Sequence, residues 1–192
     1  MGEFQRIRPF KILAVVMVTI AVVLTVASLA GHDWVRTSYY EGKVQSWGLW
    51  WKCFKVHSSF EMCVSADWLS ACAAMVFLSL ISNVVATALG VWGLCAKRRL
   101  PYVLAGAMCV VSGMCQLLSV IIYPVMFTHE IRSNADNNAE TSNFSFAWTY
   151  GVACGTLFFV MGASVFFLIR LRDEDDAQPM KSSHEKPTFY TT

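Results

Sequence analysis

The sequence predicts an all-α membrane protein, a four-helix transmembrane bundle with a small disulfide-braced antiparallel β-sheet on its extracellular side. Three observations lead there. Of 192 residues, 56% are hydrophobic and 15% charged, against roughly 25% charged in a soluble domain. The charges are segregated, leaving four long runs without Asp, Glu, Lys, Arg or His. Only Cys53 and Cys63, of seven cysteines, lie outside those runs.

The uncharged runs are Ile12 to Gly31, Trp68 to Ala96, Leu100 to Thr128 and Thr141 to Ile169. A helix rises about 1.5 Å per residue and the hydrocarbon core is about 30 Å thick, so roughly 20 apolar residues suffice to cross. The expected spans are 12–31, 68–96, 100–128 and 148–169. The first run also resembles a signal peptide, with Arg6, Arg8 and Lys11 before it and Ser28, Leu29, Ala30 at its end. Its length favours an uncleaved helix.

Basic residues set the orientation. The segment 1–11, the turn 97–99 and the tail 170–192 carry three, three and four, whereas 32–67 and 129–147 carry four and one. The adjacent Lys97, Arg98 and Arg99 weigh most, so both termini are expected in the cytosol. Trp34, Trp68, Tyr123 and Trp148 near the outer ends, and Trp92 and Tyr102 near the inner ends, agree with an aromatic belt.

Within the spans, small residues such as Ala73, Ala105, Gly106 and Gly113 offer faces for close packing. Gly151 and Gly155 form a GxxxG pair, readable as a lateral dimer seam or as internal packing. Asn83 and Gln116 lie at similar distances from the Lys97–Arg99 turn and are candidates for a hydrogen bond across that hairpin, or for bonds to nearby backbone. Pro124 removes a backbone donor and is expected to kink the third helix.

No acidic, basic or histidine side chain lies within a span, which argues against a transporter, a pump or an intramembrane enzyme. A net charge of +2 argues against nucleic acid. No Gly-rich phosphate loop is present. No cofactor, metal or small-molecule substrate is expected. The surrounding lipids are the first partner.

Cys53 and Cys63 flank a turn at His57, Ser58 and Ser59, and a hairpin there places them opposite each other in an oxidising compartment. A metal site with His57 lacks a fourth ligand. Val44 to Cys53 reads as one strand, with Val35 to Tyr40 and Phe60 to Val64 as shorter ones. On such a strand Trp47 and Trp51 share one face and Trp50 takes the other. Trp47, Trp51, Phe54 and Phe60 are candidate partner contacts.

Trp34, then Gly48, Leu49 and Trp50, then Cys53 and Cys63, resemble the W…GLW…C…C signature of the claudin superfamily, the PMP/EMP/claudin-like tetraspans. Four spans with both ends inside match that pattern. Leu49 to Cys53 (LWWKC), Ile122 to Val125 (IYPV), Trp148 to Gly151 (WTYG) and Asp173 to Asp176 extend the resemblance toward one branch, the apoptosis effectors related to peripheral myelin protein and brain cell membrane protein. The resemblance implies a non-enzymatic plasma-membrane protein of cell–cell junctions that supports adhesion and junction assembly, with a link to apoptosis. It implies a structural role for Trp34, Gly48, Leu49 and Trp50. It also implies self-association in the plane of the membrane and junctional membrane proteins as partners. A regulatory subunit of another membrane protein, such as a channel, is the second reading, and a paracellular barrier or pore the third.

The departures bear on the third. Only Val64, Ser65, Ala66 and Asp67 follow the second cysteine before Trp68, where barrier-forming claudins have a longer charged segment. Ser70 stands roughly where the family has a basic residue. The end Tyr190, Thr191, Thr192 is not the hydrophobic terminus that PDZ domains read.

Among smaller signals, His129 to Glu140, within the second outer loop (129–147), reads as a solvated connector. Asn143, Phe144 and Ser145 form a glycosylation sequon close to the fourth span. Cys95 lies beside the inner surface, a candidate for palmitoylation or a buried free thiol. The tail from Arg170 reads as disordered, with Ser182, Ser183, Thr188 and Tyr190 as phosphorylation candidates.

Overall fold

The structure, a computed structural model, describes residues 8–38, 44–56, 60–96, 100–135 and 143–177. Four helices dominate: α1 (Arg8–Ala30), α2 (Asp67–Ala96), α3 (Leu100–Ala135) and α4 (Trp148–Ala177). Each contains a stretch long and apolar enough to cross a membrane. Pro9 and Pro101 sit in the first turns of α1 and α3, where a missing N–H costs no helical bond. Asp67 opens α2 with a negative charge at the positive end of the helix dipole.

Two helices run beyond their expected ends. Residues 129–135, expected as connector, continue α3, and α4 passes Ile169 to Ala177, where a disordered tail was expected. Charged residues end a lipid-crossing run without ending a helix, because Glu, Arg and Asp keep their N–H groups. Residues 1–7, 39–43, 57–59, 97–99, 136–142 and 178–192, which include Tyr39 and Tyr40 and the phosphorylation candidates near the C-terminus, lie outside the described residues.

The helices pack in a ring, α1 against α2, α2 against α3, α3 against α4 and α4 against α1. Small residues let them approach: Gly93 lies under the Tyr102 ring, where a Cβ would come within 3.1 Å of three ring carbons. One apolar core includes Ala14, Val18, Ala105, Cys109, Val160 and Phe167. A second, beneath the sheet, is built from Trp34, Val35, Trp47, Leu49, Leu69, Tyr123 and Phe127.

Polar side chains fix the register of α2 on α3. The Ser79 and Ser112 hydroxyls are 2.8 Å apart, and Ser119 donates to the Cys72 carbonyl at 3.3 Å. That register sets Asn83 level with residue 108 and Gln116 level with residue 75, about 12 Å apart along the axis at 1.5 Å per residue. The candidate bond across the hairpin therefore does not form. Gln116 donates instead to the Ala153 carbonyl on α4 at 3.3 Å. Asn83 is fully buried, and among the described residues its amide has no hydrogen-bond partner. Similar distance from the turn was a poor guide because the two helices are staggered.

The sheet has five strands, β1 (Val35–Ser38), β2 (Val44–Trp47), β3 (Lys52–Val56), β4 (Phe60–Val64) and β5 (Asn143–Phe146), in the order β4-β3-β2-β1-β5, every pair antiparallel. The segment Val44 to Cys53 is two strands rather than one. The chain reverses over Gly48 to Trp51, where the Gly48 N–H donates to the Trp51 carbonyl at 3.0 Å. A Cβ on Gly48 would run into the His32 carbonyl, so the turn requires glycine. Strand β5 lies in the second outer loop, between the connector 129–140 and the fourth span, where no strand was expected. Its signal is the alternation Phe144, Ser145, Phe146, too short to stand out without β1 beside it.

Candidate functional site

The candidate site is the sheet and the aromatic footing on which it stands. Register assigns its two faces. Val35 pairs with Trp47 and with Phe146, and Thr37 with Gln45 and Phe144; Val35, Trp47, Thr37 and Gln45 are buried against the bundle. The opposite face carries Arg36, Ser46, Cys53, Cys63 and Ser145, which pair with one another across the strands. Cys53 and Cys63 are bonded directly across β3 and β4. The face turned from the membrane is thus polar and carries the disulfide.

Trp34 links three elements. Its backbone N–H donates to the Trp47 carbonyl at 2.7 Å, its carbonyl accepts from Ala147 at 2.9 Å, and its indole N–H donates to the Ser28 carbonyl at 3.2 Å. The ring is fully buried, 4.8 Å from Tyr123 and 5.7 Å from Tyr150 between ring centres. Tyr123 directs its hydroxyl at the carbonyls of Trp47 and Gly48, 3.1 Å from each, so α3 holds the β2–β3 turn by its backbone. Leu49 is buried below that turn. Thr149, at the start of α4, donates to the Asp33 carbonyl, and its side chain fills the space where a Cβ on Gly31 would stand.

An ion pair adds a further tie. Lys52 on β3 pairs with Glu130 on α3, both side chains at most 22% exposed, and the Trp68 indole donates to the other Glu130 oxygen at 2.9 Å. The Lys52 ammonium also lies 5.2 Å from the Trp47 ring centre. Glu130 is available because α3 extends beyond Thr128. Sequence reasoning missed this pair, since its members are far apart in the chain and Glu130 was placed in a connector.

The proposed contact residues separate. Trp47 is withdrawn, because its side chain is 2% exposed and packs edge-on to Phe127 at 5.1 Å. Trp50 and Trp51 lie in the turn, 45% and 55% exposed, so the expectation that Trp47 and Trp51 share a strand face fails with the single strand that it assumed. The Trp50 indole donates to the Leu29 carbonyl at 3.0 Å, which sets its ring at the end of α1. Phe54 and Phe60 are placed in β3 and β4, and their side chains lie outside the described residues. Among the described residues, no atom beyond the local backbone of α4 lies within 4 Å of where a Cβ on Gly151 or Gly155 would stand, so no described helix packs against this GxxxG pair. Cys95 is exposed at the end of α2. Asn143 begins β5, paired with Ser38.

The profile of the PMP-22/EMP/MP20/Claudin family matches residues 9–165. The chain belongs to that family. A relative from Danio rerio, described as p53 apoptosis effector related to PMP-22, is 23% identical over 163 residues, covering 81% of each chain. The family match covers the sheet and three helices and reaches into the fourth, so the disulfide-braced sheet on a four-helix membrane bundle is the architecture of a multi-pass membrane protein of the PMP-22/EMP/MP20/Claudin family. Sequence segments noted for their resemblance meet in space: the Tyr123 of IYPV and the Tyr150 of WTYG both pack against Trp34, with their own ring centres 6.5 Å apart.

Proposed function

We propose that this chain is a non-enzymatic plasma-membrane protein of cell–cell junctions, with the sheet outside and both termini in the cytosol. It supports adhesion and junction assembly by holding the sheet in one orientation on the bundle. The observation that carries this reading is the footing itself. Trp34, Tyr123, Thr149, Lys52 and Glu130 tie the sheet to α1, α3 and α4, which makes it a fixed platform rather than a mobile loop. A fixed platform loses little freedom on contact, so weak contacts repeated across many copies add up. Its outward face offers Arg36, Ser46, Ser145 and the disulfide, and favours polar contact with junctional proteins. The relative's name ties the family branch to apoptosis, and we extend that link to this chain as part of the proposal.

The open Gly151–Gly155 face favours lateral assembly, with copies of this chain or, in the second reading, with another membrane protein that this chain regulates. Expression of tagged protein in non-adherent cells separates the two. Adhesion predicts enrichment at borders where both cells express it and co-purification with itself. Uniform surface distribution with co-purification of a different membrane protein supports the subunit reading.

A further inference from the structure

We infer that the β5 edge of the sheet is seated in lipid, with Phe144, Phe146 and Trp148 anchored at the boundary between headgroups and acyl chains. β5 is the outermost strand on its side of the sheet. Phe144 and Phe146 lie on the face that β1 buries, yet β5 overhangs the bundle and leaves them 48% and 45% exposed, with Trp148 67% exposed beside them. Their inner edges rest on the membrane helices: Phe144 is 5.7 Å from Phe127 of α3, Phe146 stacks 4.7 Å from Tyr150 of α4, and the two phenylalanines meet at 6.0 Å.

Lipid is the occupant because this surface continues one that lipid already covers. Val125 and Met126 on α3, and Phe158 and Met161 on α4, are exposed apolar side chains within candidate spans. No charged residue occurs between Asn143 and Ile169, so no charge divides the strand from the helix that follows it. Trp148 favours this depth, where its ring meets acyl chain on one side and water on the other, and Phe144 and Phe146 add apolar rings of the kind that interfacial segments bury at the headgroup–acyl boundary. Trp50 extends the rim to the end of α1, with its one polar atom bonded to Leu29. Lipid contact at this edge would hold the polar face of Arg36, Ser46 and Ser145 turned away from the bilayer. The inference needs only the membrane-spanning bundle. It rests on the proposed orientation solely for which leaflet is meant.

Neighbouring residues of one strand supply the test. Full-length protein carrying Cys95→Ser, with either Ser145→Cys or Phe146→Cys, is placed in phospholipid nanodiscs holding a single copy, where both membrane faces are accessible whatever the orientation in cells. The expected result is labelling of Ser145→Cys by a charged, membrane-impermeant maleimide at least tenfold faster than Phe146→Cys. A nitroxide at position 146 should collide more with oxygen than with a nickel chelate, and one at position 145 the reverse. Equal labelling at both positions overturns the inference. Protection of position 146 that appears in cells but vanishes in single-copy discs also overturns it and assigns the edge to a second copy. Should Phe146→Cys fail to fold, Phe146→Trp in discs of lipid brominated near the top of the acyl chain replaces it. Quenching beyond that of the unsubstituted chain supports the inference, and its absence refutes it.

Discussion

The Tyr150 hydroxyl donates to the Val120 carbonyl at 3.0 Å, and that carbonyl is the one Pro124 leaves without a helical donor. An α-helix pairs the N–H of residue 124 with the oxygen of residue 120, and proline has no N–H. In hydrocarbon an unpaired carbonyl is costly. A side chain from α4 therefore completes a backbone bond of α3, and the helix continues through Pro124 to Ala135. The proline of IYPV and the tyrosine of WTYG form one structural unit.

A double-mutant cycle tests that unit. Tyr150→Phe should lower stability by about 1 kcal/mol, the usual net value of such a bond. In a Pro124→Ala background, where residue 124 supplies its own donor, the same substitution should cost about half as much or less. Reversible unfolding in mixed micelles measures both, and equal costs in the two backgrounds would contradict the pairing.

The disulfide closes a short loop between β3 and β4. Losing it should cost about 2–3 kcal/mol by the chain-entropy argument, with less protein at the cell surface and a shift on non-reducing gels for Cys53→Ser. Cys63→Ser should match it, and the double variant should be no worse than either.

Lys52 and Glu130 are mostly removed from water, so removing one leaves the other's charge poorly solvated. Lys52→Met alone should cost about 1–3 kcal/mol. Adding Glu130→Gln should recover part of it, since Gln keeps an oxygen for the Trp68 indole. Unfolding midpoints of the single and double variants decide this, and strict additivity would mean that the pair is not coupled.

Two kinds of glycine make opposite predictions. Gly48→Ala drives a methyl group against the His32 carbonyl and should cost about 3 kcal/mol. Gly151→Leu and Gly155→Leu point into open space and should leave the unfolding midpoint of the single copy unchanged. If lateral assembly uses this face, the same two variants should weaken crosslinking between copies, or to a partner, in native membranes.

The bundle was legible in the sequence because each span is written locally, in a run of uncharged residues. Cys53 and Cys63 were legible because compartment and spacing left them no other partner. Features that depend on two distant segments were not. Lys52 and Glu130, Tyr123 and the Gly48 turn, and β1 and β5 meet only after the helices have set their relative heights. The stagger that parts Asn83 from Gln116 is of the same kind. The split of Val44 to Cys53 was hidden differently: three tryptophans raised the strand signal across Gly48, and the need for glycine there arises from His32, outside the segment. Trp47 read as a contact residue because one strand face looked free, whereas α3 already covers it.

Sidedness is the claim on which the functional account depends, and epitope accessibility on unpermeabilised cells tests it most directly. A tag inserted in the segment 136–142 should bind antibody on intact cells, while tags at Met1 and Thr192 should bind only after permeabilisation. Staining of either terminal tag on intact cells, or of the 136–142 tag only after permeabilisation, would contradict the account.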